Sequence, residues 1–81
     1  MIHRAELEYL QEQARQYGLI VTFFYEEGTG HIEGVYIGNG QAGETRVYDP
    51  LSAAELLRGV LARKGVPSWS VHVAAVSGRS F

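Results

Sequence analysis

The chain contains no cysteine. One absence thereby excludes a disulfide framework, a thiolate metal site and a cysteine nucleophile. It also fits a cytoplasmic location, which is the expectation here. Proline occurs twice, and Asp49 is the only aspartate. No apolar run approaches the roughly 20 residues needed to span a bilayer, so no membrane partner is expected. The first residues, Met1-Ile2-His3-Arg4-Ala5-Glu6, turn charged at once and do not read as a signal peptide. Positive charge is sparse as well. Seven Lys and Arg stand against nine Asp and Glu, for a net charge of −2. Such a surface does not draw phosphate backbones over long range, which argues against nucleic acid as the main partner.

What remains is ordinary for a folded domain. Of 81 residues, 46% are hydrophobic and 20% charged, so low hydrophobicity with high net charge, the signature of disorder, is missing. The length fits one compact domain over residues 1–81, with 78–81 as a short C-terminal tail.

Leu7, Leu10, Ala14 and Tyr17 fall on one helical stripe, predicting a first helix over Arg4 to Tyr17 with Gly18 as its left-handed cap. Leu19 to Tyr25 is β-branched and aromatic on both faces and reads as a central strand. A turn at Glu26 to Gly30 leads to a second strand, His31 to Ile37, where Gly34 marks a bulge or a close backbone approach. Gly38 to Gly43 is a loop, and Glu44 to Tyr48 a third strand. Ser52 and Glu55 match a capping box, with Leu51 and Leu56 at the staple positions, so the second helix should start at Ser52 and end at Gly65. Trp69 to Val76 reads as a fourth strand.

The expected fold is therefore α+β: a single two-layer domain of order α-β-β-β-α-β, with a mainly antiparallel four-stranded sheet and two helices packed on one face. The last strand has two possible places, beside the third strand or beside the first, and the first is favoured because it is apolar on both faces. Leu19, Val21, Phe23, Val35, Ile37, Val47, Trp69, Val71 and Val73 would then face the helices. The other face would present Phe24, Tyr36, Arg46, Tyr48 and His72 with nothing in the chain to cover them.

The order α-β-β-β-α over Arg4 to Lys64 is similar to that of double-stranded-RNA-binding domains, and the resemblance implies that arrangement of elements. Those domains meet phosphate with lysines at the start of their second helix. Ser52-Ala53-Ala54-Glu55 stand there instead, so none of the family's binding residues carries over.

No motif supports catalysis or a cofactor. Gly38-Asn39-Gly40-Gln41-Ala42-Gly43 spells G-x-G-x-x-G, but a strand follows it where phosphate binding needs a helix N-terminus. His31-Ile32-Glu33 spells H-x-E without the cysteines of a zinc deaminase. His72 has Ser70 about 7 Å along a strand and no orienting carboxylate. The expectation is a non-catalytic protein-interaction module: a small regulator, inhibitor or adaptor, such as a phage- or plasmid-encoded inhibitor of a host system. Its contact set would be Phe24, Tyr36, Arg46, Tyr48 and His72, reached through the open face or an edge strand, with homodimerisation as a related possibility. The alternative is a single-stranded nucleic-acid module stacking bases on the same face. A small-ligand enzyme ranks below both.

Overall fold

The first helix, α1 (Arg4–Gln16), ends as its sequence predicts. The Gly18 N–H donates to the Arg15 carbonyl and the Leu19 N–H to the Ala14 carbonyl, a double closure that needs a left-handed residue, and Gly18 has φ of 84°. This structure, a computed structural model, describes residues 3–39 and 45–77. The Gly40 to Glu44 part of the expected loop and third strand, and the 78–81 tail, lie outside the described residues.

Three strands follow, β1 (Ile20–Tyr25), β2 (Ile32–Gly38) and β3 (Thr45–Tyr48), in the antiparallel order β1-β2-β3. Val21 pairs with Ile37 and Phe23 with Val35. The register shifts between Phe24 and Tyr25, leaving Glu33 as the extra residue of a bulge. At Gly34, a Cβ would stand 3.3 Å from Cγ1 of Val47. The bulge foreseen at Gly34 thus lies one residue before it, at Glu33, and the close neighbour of Gly34 is a side chain rather than backbone.

The second helix, α2 (Pro50–Arg63), begins earlier than the capping-box reading places it. Asp49 is the N-cap: its carboxylate accepts from the Ser52 N–H at 3.1 Å and from the Ser52 hydroxyl at 2.7 Å. Aspartate followed by proline at the first helical position is a stronger start signal than serine with glutamate three residues on. These bonds from Ser52 hold the Asp49 carboxyl below the usual aspartate range. Leu51 and Leu56, the expected staple, are both exposed.

The largest correction concerns the end of the chain. Trp69–Ser77 is a helix, α3, and not a strand. The sheet therefore has three strands rather than four, and three helices rather than two complete a small two-layer α+β domain. Ser68 starts α3, its side-chain oxygen accepting from the Val71 N–H at 3.3 Å and its carbonyl from the His72 N–H at 2.9 Å. Three valines give α3 low intrinsic propensity, and at nine residues it is too short to stand alone. Its hold is Tyr9 of α1. The Tyr9 hydroxyl donates to the Pro67 carbonyl at 2.6 Å, and its ring lies 4.4 Å from that of His72 and 5.6 Å from that of Trp69.

The core fills the space between α1, α2 and one sheet face, around Leu7, Leu10, Val35, Leu57 and Leu61. At its margin, Arg58 on α2 donates twice to the Glu6 carboxylate on α1, at 2.6 and 2.7 Å. Glu6 is 8% exposed, so its charge needs this partner. The Arg58 bonds hold the Glu6 carboxyl below the usual glutamate range, against the opposing pull of burial. A carboxylate with depressed pKa contributes stability above its unfolded value, about 4.3, and loses it as pH falls through the folded value. Urea unfolding is therefore expected to show stability falling from pH 5 to pH 3. Glu6→Gln should cost about 1–2 kcal/mol at pH 7 and flatten that acid limb.

Candidate functional site

Opposite residues of an antiparallel pair point to the same face. Ile37 stands opposite Arg46 and Val35 opposite Tyr48, while Tyr36 stands opposite Val47. Since Val35 and Ile37 are buried under the helices, Arg46 and Tyr48 belong to the helix-covered face. Tyr48 packs against the core, and Arg46 is exposed at the rim of that face, beside Leu19 and Ile37. Val47 instead joins Phe24 and Tyr36 on the outer face.

The five residues expected to form one contact set thus divide into three places. Phe24 and Tyr36 share the outer face. Arg46 and Tyr48 lie on the opposite face. His72 sits on α3, half-buried against Tyr9 and Trp69. Assigning them to one face requires Val47, between an arginine and a tyrosine, to point inward. The observed register is one residue different, and in a strand that moves every side chain to the other side.

The outer face is built from Ile20, Thr22 and Phe24 of β1, Tyr36 of β2 and Val47 of β3. Ile20 is 50%, Phe24 46% and Val47 63% exposed. Gly34 lies between Phe24 and Val47, and its missing side chain lets both lean over the sheet. A methyl group on Gly34 would meet Val47 Cγ1 at 3.3 Å and Phe24 Cδ2 at 3.9 Å. The face is uncharged at these positions, with the Tyr36 and Thr22 hydroxyls as its polar atoms. Across its thin axis the fold measures 16 Å between Cα atoms, one sheet and one layer of helices, so among the described residues no second layer lies over this face.

The other candidates take ordinary places. Ser70 and His72 are two apart on a helix and face different ways, so no serine–histidine pair forms. His31 and Glu33 are exposed at the β1–β2 hairpin. Among the described residues no group of three His, Cys, Asp or Glu side chains is placed to hold a metal ion, and no helix is long and apolar enough to cross a membrane. A cleft of about 600 Å³ opens where the N-termini of α1 and α2 meet the hairpin, lined by Arg4, Leu7, His31, Ile32, Asp49 and Leu51. Its polar groups are partly engaged: Asp49 caps α2, and Arg4 lies 5.2 Å over the Tyr25 ring.

No protein-family model, curated protein or solved structure matches the chain.

Proposed function

We infer that the protein is a non-catalytic interaction module whose outer sheet face binds a protein partner. The observation that carries this reading is the uncharged surface of Ile20, Phe24, Tyr36 and Val47, close to half exposed or more at three of its four positions and without a covering layer among the described residues. Aromatic and aliphatic side chains held on a rigid sheet lose little entropy on binding, and they supply the buried centre that stable interfaces need. A role as a cytoplasmic regulator, inhibitor or adaptor accords with this, since such proteins act by occupying a partner's surface.

Stacking of single-stranded nucleic acid draws less support. That mode joins aromatic rings to a cation that follows the phosphates, whereas Arg46 lies on the opposite face from Phe24 and Tyr36. The start of α2 offers no basic residue either.

The test is a pair of exposed substitutions. For a protein partner isolated on the wild-type chain, Phe24→Ser with Val47→Ser should weaken binding at least 100-fold, read by calorimetry, while the thermal midpoint moves by only a few degrees. Undiminished affinity overturns the assignment.

A further inference from the structure

β1 has the composition of a central strand and the position of an edge. Leu19 to Tyr25 is apolar on both faces, with no charge, proline or glycine, yet among the described residues β1 pairs on one side alone, with β2. Natural edge strands are blunted by charges, proline, shortness or a covering element. The other edge follows that rule, since β3 has four residues and carries Arg46. β1 has six, and its guard among the described residues is Gln11, whose side-chain amide donates to the Val21 carbonyl at 2.7 Å. That bond shows which way the edge points. The Val21 carbonyl is turned away from β2, and by the alternation of an antiparallel strand the Phe23 backbone turns the same way.

We propose that β1 pairs with β1 of a second copy, antiparallel about a two-fold axis, to give a continuous six-stranded sheet. The strand is complementary to itself. With Thr22 opposite Thr22 on the axis, Val21 stands opposite Phe23 of the second copy and Ile20 opposite its Phe24, so every pair off the axis is aliphatic or aromatic and none sets like charges together. The Val21 carbonyl has a second lone pair and accepts the new bond beside Gln11. Ile20, Phe24 and Tyr25 are 50%, 46% and 48% exposed. Covering side chains of this size together with the strand edge removes roughly 500 Å² per copy, about 1,000 Å² in all, the lower bound for a specific interface. The dimer is accordingly of micromolar strength. It also sets two outer faces side by side, covering the flanks of Ile20 and Phe24 at the shared edge and leaving Tyr36 and Val47 open.

Sedimentation velocity from 2 to 500 μM tests this. The wild-type chain is expected to pass from monomer to dimer across that range. Thr22→Lys, an exposed change that places two ammonium groups at the axis, should shift the transition more than 30-fold upward at an unchanged thermal midpoint. Tyr36→Ser with Val47→Ser, away from the edge, should leave it in place. Amide exchange at Val21 and Phe23 should slow as concentration rises. A chain that stays monomeric at 500 μM overturns the proposal, and so does a dimer that Tyr36→Ser with Val47→Ser abolishes and Thr22→Lys does not.

Discussion

Leu57→Ala is expected to remove about 3 kcal/mol of unfolding free energy and to lower the thermal midpoint by roughly 12–24 °C. Leu57 is fully buried in α2 and is among the largest side chains with no exposed surface. Around it, Leu7 and Leu10 of α1, Val35 of β2 and Leu61 of α2 belong to one cluster. The elements they stand on are fixed by the two helix caps and the sheet, so the space left by the lost methine and two methyl carbons cannot close. A domain of this length has on the order of 4–12 kcal/mol in total, and one truncation takes a large share of it. Leu56→Ala is the control. Leu56 is the neighbouring residue of the same helix, 38% exposed, and its truncation should cost under about 1 kcal/mol. Urea unfolding of the two variants checks the contrast. Equal losses would contradict the placement of the core.

Tyr9→Ala is expected to free α3. The substitution removes a hydrogen bond to Pro67 and two ring contacts at once, for a total of about 3 kcal/mol. α3 has 9 residues against 13 in α1 and 14 in α2, so its melting should remove about a quarter of the helical circular dichroism. Trp69 is the only tryptophan, and its emission should move to longer wavelength as the ring meets water. Tyr9→Phe separates the contributions: it keeps the rings together and loses the hydroxyl, so it should cost about 1 kcal/mol with α3 still helical. An unchanged Trp69 spectrum in Tyr9→Ala would show that α3 is held by something else.

The sequence is most informative where a local signal and its structural consequence coincide. Gly18 and Gly65 close α1 and α2 because only a left-handed residue completes those turns, with φ of 84° and 81°. The two-sided apolar character of Leu19 to Tyr25 marks β1, and Gly34 marks its irregular partner. Legibility fails where two periods compete. Trp69 to Val76 alternates as a strand does, but Pro67-Ser68 is a helix start, and docking on Tyr9 decides the outcome through a contact 60 positions away from Trp69 in the chain. Asp49-Pro50 has the letters of a turn and is in fact a cap with the first helical residue. The site turns on one step of register. Arg46-Val47-Tyr48 reads equally well with Val47 in or out, since a tyrosine ring can pack in a core and an arginine can lie at its rim. Only pairing with Tyr36 settles it, and Val47 thereby replaces Arg46 and Tyr48 beside Ile20, Phe24 and Tyr36, while His72 leaves the face because its segment is a helix.

Carbene footprinting of the protein in an extract of the cells that make it, against the protein alone in buffer, tests the outer face most directly. The partner need not be known. With the protein held below 1 μM to suppress its own pairing, labelling of Phe24, Tyr36 and Val47 should fall severalfold in the extract, while the exposed Tyr17, Leu51 and Val71 label as before. Equal labelling of Phe24, Tyr36 and Val47 in the two samples, or protection confined to Leu51 or Val71, would contradict the assignment of the binding surface to this face.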